Sequence, residues 1–294
     1  MRFTCALAMN PPEQLVPLAI AAEQNGFSSI ALPDSIFAPE KVNAVYPYTP
    51  DGKRVFTPET PFVDPLIAAS AIGAATTTIR CYSHVVKLGS RHPVPFARQV
   101  GTVANLTGNR FGLGLGIGWQ QDECRWCGIE SGGLKGKRTD EAIEVIQLLL
   151  GGGMVEHHGE YFDFERIQMS PAPSEPVPVY IGGHTEAALR RAARHDGWTT
   201  AMIKMAELRE IIARLRELRG AFGREQEPFE IQAVCVDRFG LDGYAEQAEA
   251  GVTDAITVPW LFYGVGFEAP VGEKQDCIKR FAEEYIAPLE AVHA

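Results

Sequence analysis

A carboxylate and an imidazole lie at the ends of two predicted strands, where a side chain can act on a bound small molecule. Asp34 follows the segment Ser28–Leu32, and His84 lies near the end of the segment Thr78–Val86. Asp34 can serve as an acid, a base or a hydrogen-bond anchor, or it can cap the turn that follows. His84 can act in catalysis or remain a hydrogen-bonded core residue among its apolar neighbours. We predict that these two residues are catalytic.

A second pattern, typical of phosphate binding, lies in the segment Val179–Glu186. A strand there leads through Gly182 and Gly183 to Thr185, a residue type that caps helix N-termini. Free N–H groups at a helix N-terminus, approached over glycines, bind phosphate well. An ordinary tight turn between a strand and a helix has the same composition, so both interpretations stay open. We predict that Gly182, Gly183 and Thr185 bind a cofactor.

From Phe111 to Gly118 the chain alternates strictly between a large apolar residue and glycine, as Phe-Gly-Leu-Gly-Leu-Gly-Ile-Gly. Successive side chains of a strand point to opposite faces, so one face is apolar and the other is bare. Glycine in a strand commonly marks the close approach of a ligand or of another backbone. The pattern predicts a buried strand beside a cavity with room for a flat ligand. The alternative is a barrel strand kept thin for packing.

Aromatic and polar residues near these strand ends are candidates for a substrate wall. Trp119 directly follows the glycine strand, and Ser35, Tyr46 and Tyr48 lie in the long Pro-rich loop over residues 33–60. Apolar and aromatic walls with a few polar groups are typical of small-molecule pockets. We predict that these four residues contact the substrate.

The charge pattern favours a small ligand over a macromolecular one. The formal net charge is −10, which argues against a nucleic-acid partner because such a partner needs a basic face. Lys135, Lys137 and Arg138 nevertheless form a small basic cluster. They form either a solvated loop or a contact for an anionic ligand tail.

Neither a leader nor a membrane segment is evident from Met1 onward, since no apolar run approaches the roughly 18 residues that span a bilayer. We therefore expect a cytoplasmic protein without a membrane partner. The six cysteines are scattered, which is typical of reduced packing cysteines. Cys124 and Cys127 have zinc-like or redox-like spacing, but no second pair accompanies them. We predict no metal.

Strand-like and helix-like segments alternate along all 294 residues, without a composition break that would mark a domain boundary. The eight predicted strands are Arg2–Met9, Ser28–Leu32, Thr78–Val86, Phe111–Gly118, Val177–Ile181, Trp198–Met202, Glu230–Val236 and Ala255–Val258. The alternation predicts an α/β fold, a single (β/α)8 TIM barrel over residues 1–294 with a hairpin insertion at 154–169. An open doubly wound sheet is the alternative, but no early turn carries its glycine fingerprint. In a barrel the chemistry lies after the carboxyl ends of the strands, where the candidates above fall.

Together these segments resemble the bacterial luciferase-like superfamily, in particular its branch of oxidoreductases that use the deazaflavin coenzyme F420. The resemblance extends to about residue 223. Its motifs are Leu32-Pro33-Asp34, Arg91-His92-Pro93, the glycine strand ending in Trp119, Ile181-Gly182-Gly183 and Asp196-Gly197-Trp198.

The resemblance implies hydride transfer between F420 and a small organic substrate, and a homodimer. It also implies a non-proline cis peptide at His84-Val85 behind the cofactor ring, and a polar cofactor contact from Asp122. Many relatives carry histidine where this chain has Ser35, so the proton must come from His84, Asp34 or water, or the substrate differs. An FMN-dependent monooxygenase and a non-catalytic flavin-binding barrel stay open as alternatives.

Overall fold

Parallel strands close into a (β/α)8 barrel in the computed structural model, which describes residues 1–41, 44–46, 49, 51–129 and 133–293. The predicted fold class is therefore confirmed. In chain order the strands are β1 (Arg2–Ala6), β2 (Ser29–Leu32), β3 (Arg80–Ser83), β4 (Val86–Lys87), β5 (Phe111–Gly116), β6 (Met154–His158), β7 (Asp163–Gln168), β8 (Val179–Gly182), β9 (Gly197–Ile203), β10 (Glu230–Cys235) and β11 (Asp254–Thr257). Strands β6 and β7 form a separate antiparallel hairpin.

The barrel order is β3-β2-β1-β11-β10-β9-β8-β5-β4, and pairing of β3 with β5 closes the ring. Strands β3 and β4 both pair with β5, so they share one position of the barrel. Two residues, His84 and Val85, bulge out between them. The peptide bond joining these residues is cis, as the family resemblance predicts.

Helices surround the barrel. They are α1 (Leu15–Gln24), α2 (Pro65–Ala75), α3 (Pro93–Leu106), α4 (Gln121–Trp126), α5 (Gly136–Leu150), α6 (Glu186–Ala192), α7 (Met205–Ala221), α8 (Gly240–Ala250), α9 (Pro259–Phe262), α10 (Val271–Phe281) and α11 (Ala287–His293). Local capping explains where α2 begins, because the Asp64 carboxylate accepts from the N–H groups of Leu66 and Ile67 at 2.9 and 3.2 Å. None of the described helices is long and apolar enough to cross a membrane.

Two groups of buried apolar residues form the core. The larger one lies between the strands and the surrounding helices. The smaller one fills the barrel interior and consists of Ala6, Ala31, Tyr82, Tyr180 and Ile256. The rings of Tyr82 and Tyr180 lie 5.8 Å apart, edge to face. These side chains thus close the half of the barrel interior that lies toward the amino-terminal ends of the strands.

The glycine face of β5 differs from the prediction of an open slot. A Cβ at Gly112 would lie 2.6 Å from the Tyr180 ring, and one at Gly114 would overlap the carbonyl oxygen of Ser83. At Gly116 it would lie 2.9 Å from a methyl of Val85. The space that these glycines leave is occupied by the two tyrosines and by the bulge. The predicted space for a flat ligand is therefore filled at Gly112 and Gly114, whereas Gly116 and Gly118 line a cavity, as the prediction of a strand beside a cavity requires.

Candidate functional site

A cavity of about 780 Å³ lies at the carboxyl ends of the barrel strands. Its wall includes nine of the residues predicted from the sequence, namely Asp34, Ser35, Tyr46, His84, Val85, Trp119, Gly182, Gly183 and Thr185. Of the other two, Tyr48 lies outside the described residues. Asp122 is absent from the cavity wall and forms an ion pair with Arg125 of α4 at 3.2 Å.

Val85 forms the floor of the cavity. Its methyl groups are close to both Gly116 of β5 and Gly182 of β8, where added Cβ atoms would lie 2.9 and 3.2 Å away. The aliphatic side chains of Leu115, Ile117 and Ile181 continue the wall on either side. The floor is therefore apolar.

Asp34 holds the end of β2 to the segment after the bulge. Its two oxygens accept from the two terminal nitrogens of Arg91, each at 2.8 Å, and from the N–H of Lys87 at 2.9 Å. The carboxylate is only 3% exposed and the Arg91 side chain 14%. Of the roles left open by the sequence, this geometry favours the hydrogen-bond anchor, because both oxygens already accept charge-assisted bonds. Its predicted catalytic role remains untested.

His84 is held as a neutral imidazole at the edge of the floor. Its Nε2 lies 3.1 Å from the carbonyl oxygen of Thr200. Because a carbonyl only accepts, Nε2 carries the proton. Burial lowers the pKa of His84 to about 4, since desolvation disfavours the charged ring. At neutral pH His84 is thus a hydrogen-bond donor to the backbone.

A buried ion pair beside the bulge escaped the sequence analysis. The Lys87 Nζ lies 2.6 and 2.8 Å from the two carboxylate oxygens of Glu123, and both side chains are buried. Lys87 lines the cavity, whereas Glu123 belongs to α4. The only sequence signal was position, because Lys87 lies two residues after Val85 of the bulge. Helix α4 itself is too short and polar to show helical periodicity in the sequence.

Aromatic rings form the outer wall of the cavity. The ring of Tyr46 packs edge-on against Trp119 at 5.3 Å and against Phe56 at 6.0 Å. Phe56 in turn contacts Phe62 at 5.0 Å. Tyr46 and Trp119 are among the residues predicted from the sequence, whereas the two phenylalanines are not. Ser35 lies in the same wall, and its hydroxyl donates to the carbonyl oxygen of Phe37 at 3.4 Å.

The opposite end of the cavity is polar. Gly183 has a φ of +115°, and Trp198 donates its indole N–H to the Gly183 carbonyl oxygen at 2.8 Å, which holds the turn. The Thr185 hydroxyl caps α6 by accepting from the N–H of Ala188 at 3.3 Å. Arg191 also lines this end and donates to Asp140 at 2.6 Å. Backbone N–H groups and a guanidinium therefore meet here, as an anionic ligand group requires.

The three residues of the predicted basic cluster, Lys135, Lys137 and Arg138, have different surroundings in the structure. Arg138 is 5% exposed and stacks over the ring of Phe162 at 5.0 Å, so it cannot reach a ligand tail, and this part of the prediction is wrong. Lys135 and Lys137 are exposed and flank Gly136, which lines the cavity. Of the three residues of the cluster, Lys135 and Lys137 are thus the exposed ones next to a residue of the cavity wall.

A second histidine lines the cavity and was not among the predicted site residues. His184 follows the glycine pair; its Nε2 contacts the hydroxyl of Thr200, and its Nδ1 lies 3.2 Å from a carboxylate oxygen of Glu207. The turn Gly-Gly-His-Thr was visible in the sequence, but nothing in it shows that Thr200 joins His184 to His84.

Comparison with known proteins identifies the family. The model for the luciferase-like monooxygenase family matches residues 3–285. The chain belongs to this family. Within it, an uncharacterized protein of Mycobacterium tuberculosis is 41% identical over 290 residues, which cover 98% of this chain and 100% of that protein.

Solved structures of two activity classes share the fold. The coenzyme F420-dependent tetrahydromethanopterin reductase of Methanopyrus kandleri has a TM-score of 0.74 at 15% identity, with 97% of this chain and 98% of that chain covered. The monooxygenase RslO1 of Streptomyces bottropensis has a TM-score of 0.71 at 17% identity, with 98% and 100% covered. This chain therefore shares its barrel fold with a coenzyme F420-dependent reductase and with a monooxygenase.

Proposed function

We propose that this protein is an F420-dependent oxidoreductase that transfers a hydride between the deazaflavin and a small organic substrate. The observation that carries the proposal is the layout of the cavity: an apolar floor, an aromatic outer wall, and a polar end bordered by two exposed lysines.

The residues present fit a flat ring with an anionic chain. Val85 offers a flat aliphatic floor only because Gly116 and Gly182 lack side chains beside it. The turn at Gly183 and the guanidinium of Arg191 suit a phosphate. A cavity of about 780 Å³ falls within the roughly 300–1,000 Å³ range of small-molecule sites.

The choice of F420 over FMN rests on Lys135 and Lys137. F420 carries a glutamate-bearing tail beyond its phosphate, whereas FMN ends at the phosphate. The cavity reaches Gly136, the first residue of α5, between the two lysines. The positive end of the helix dipole and two lysines together favour additional negative charge at this edge.

The chain itself positions the reaction. When bound, the cofactor supplies the hydride acceptor or donor. Val85 would contact the ring of the bound cofactor, and the ion pairs Asp34–Arg91 and Lys87–Glu123 keep the bulge in place. Tyr46 and Trp119 cover the substrate side and exclude water.

A flavin monooxygenase is the second candidate. The family model is named for that activity, and RslO1 shares the fold over nearly the whole chain. The apolar floor and the phosphate turn serve FMN equally well, so only the tail contact separates the two candidates.

The test compares the binding of F420 and FMN to the purified protein by fluorescence titration. We expect tighter binding of F420, and the double charge reversal K135E/K137E should weaken F420 binding about tenfold or more while changing FMN binding less than threefold. The F420 effect should shrink at high salt because the lysines are exposed. Tighter FMN binding in the wild-type protein would contradict the proposal.

A matched control is K279E, which reverses an exposed lysine on α10, outside the cavity wall. It should leave both dissociation constants unchanged. A screen of alcohols as hydride donors, and of enones with reduced F420, then identifies a substrate by the change in F420 absorbance. Binding of F420 without turnover of any member of the screen is the result predicted for a non-catalytic barrel.

A further inference from the structure

Charge is balanced on one side of the cavity. The wall at the carboxyl ends of β2, β4 and β5, which we call the substrate side, has two charged residues among those described, Asp34 and Lys87. Asp34 pairs with Arg91 at 2.8 Å, and Lys87 pairs with Glu123 at 2.6 Å. His84 is neutral there, because burial lowers its pKa to about 4. Each pair joins one cation to one carboxylate, so the charges of these described residues cancel.

The polar end of the cavity has an excess of positive charge around Arg191. This residue lines the cavity and donates to Asp140 at 2.6 Å. The same Asp140 oxygen also accepts from Arg194 at 3.0 Å. Two guanidiniums thus share one carboxylate, and two exposed lysines flank Gly136 of the cavity wall. The polar end therefore suits an anionic group of a ligand, whereas the substrate side offers no unpaired charge among its described residues.

Apolar side chains make up most of the rest of the substrate side. Its rings form a chain of edge-to-face contacts, and they belong to Trp119, Tyr46, Phe56 and Phe62. Val55 adds aliphatic surface. Such a wall binds apolar molecules, and aromatic contacts add to the binding. A charged group placed here leaves water without gaining an unpaired opposite charge, which disfavours its binding.

We infer that the substrate is a neutral, largely apolar alcohol, ketone or enone, and that Glu123 keeps anionic molecules from this site by pairing with Lys87. The inference rests on the proposed function and adds the chemical class of the substrate. Lys87 lines the cavity, and its ammonium donates to both oxygens of Glu123, at 2.6 and 2.8 Å. The positive charge that a hydroxy acid or a keto acid needs is thus already compensated. An amine meets no unpaired carboxylate either, because both oxygens of Asp34 accept from Arg91.

The first test measures the binding of probes that share one ring system. They are the neutral ketone 2-acetonaphthone, the anion 2-naphthoate and the cation 2-naphthylmethylammonium. Each is titrated calorimetrically at pH 7 into protein saturated with the oxidised cofactor that it binds more tightly, F420 or FMN. The ketone should bind about tenfold or more tighter than either ion, because the ions lose hydration without gaining a partner. An ion that binds as tightly as the ketone would overturn the inference.

The key variant is Glu123→Gln, which removes the charge that offsets Lys87 but keeps an oxygen that accepts its hydrogen bond. Naphthoate should bind about tenfold more tightly to this variant than to the wild type, while acetonaphthone binding changes less than about twofold. If Glu123→Gln does not fold, Val55→Lys adds an unpaired cation to the same wall at a position that is 56% exposed, and the same gain is expected. Unchanged naphthoate binding in the folded variant would refute the role of Glu123.

Matched controls test whether these effects come from the substrate side. Glu283→Gln removes another carboxylate that pairs with a lysine, Lys279 at 3.9 Å, outside the cavity wall, and naphthoate binding should not change. Phe56→Ala should weaken acetonaphthone binding about tenfold. Phe239→Ala truncates a ring that is 54% exposed and outside the wall, so it should leave this binding unchanged. Equal losses in the two phenylalanine variants would place the probe elsewhere and contradict the inference.

The second test measures turnover. With F420, kcat/KM should be about tenfold or more higher for 1-phenylethanol than for mandelate, which has a carboxylate in place of the methyl group. Comparable values for these two alcohols would rule out the inferred substrate class. If the wild-type protein binds neither F420 nor FMN, the proposed function fails, whereas the naphthyl probes titrated into the cofactor-free protein still decide whether this wall selects neutral molecules.

Discussion

The two ends of the barrel interior hold polar side chains in different surroundings. At the amino-terminal end, Arg80 donates to both oxygens of Glu230 at 2.9 and 3.2 Å, and Arg2 donates to Asp254 at 2.7 Å. None of these four residues lines the cavity. At the carboxyl end, His84 is neutral beside a large cavity.

Both ends contain strongly shifted groups, so a shifted pKa alone does not identify a site. The Arg80 and Arg2 guanidiniums outweigh the burial of Glu230 and lower its pKa to about 2. Burial lowers the pKa of His84 to about 4. Only the second group faces space that a ligand can enter. We propose that the network at the amino-terminal end stabilises the barrel, whereas the residues at the carboxyl end serve the site.

The largest effect that separates the two ends should come from breaking one ion pair at each. Asp34→Asn should cost about 3–5 kcal/mol of unfolding free energy, because Arg91 stays buried without its partner. It should also weaken F420 binding, since Asp34 holds the segment after the bulge. Glu230→Gln should cost about 2 kcal/mol and leave F420 binding unchanged. Urea unfolding and cofactor titration measure the two quantities, and a loss of binding in Glu230→Gln would break the division.

A smaller effect should separate two glycines of β5. A Cβ at Gly114 overlaps the backbone carbonyl of Ser83, which cannot move freely, so Gly114→Ala should cost about 3 kcal/mol. At Gly116 the nearest atom is a Val85 methyl at 2.9 Å. Gly116→Ala should cost only about 1 kcal/mol but push Val85 toward the cavity and weaken F420 binding about tenfold. If the two variants lost equal amounts of stability and of binding, the effect of the bulge on stability could not be separated from the effect of the cavity floor on binding.

The smallest effect is a difference in pH dependence. The folded pKa of His84 is below its ordinary 6.5, so the unfolded chain binds more protons between pH 6.5 and 4 and stability falls as the pH falls through that window. Protonation of His84 should lower the free energy of unfolding by about 2 kcal/mol as the pH falls from 6.5 to 4.5. For Glu230 the corresponding window lies between pH 4.5 and 2.

Stability curves of His84→Asn and Glu230→Gln check this assignment. Subtracting each from the wild-type curve should give a slope confined to the window of the residue that was replaced. Overlapping slopes would indicate that the two ends titrate together. The two ends of the barrel titrate independently if each variant leaves the stability slope in the pH window of the other residue unchanged.

Elements set by local signals followed the sequence closely. Helices α2 and α3, Pro65–Ala75 and Pro93–Leu106, begin where local signals place them, because a proline begins each helix and a side chain caps it. The predicted strand Thr78–Val86 instead splits into β3 and β4. Its apolar composition continues across His84 and Val85, and only the space beside the β5 glycines shows that these residues bulge.

The sequence alone determined the barrel and nine of the residues that line the cavity, because alternating periodicity and strand-end position are properties of neighbouring residues along the chain. Tertiary structure decided what each polar group does. It pairs Asp34 with Arg91, buries Arg138, fills the lower glycine face with tyrosines, and joins His184 to Glu207. The charge of a side chain and its freedom to transfer a proton depend on partners distant in sequence, and folding alone brings those partners within hydrogen-bond distance.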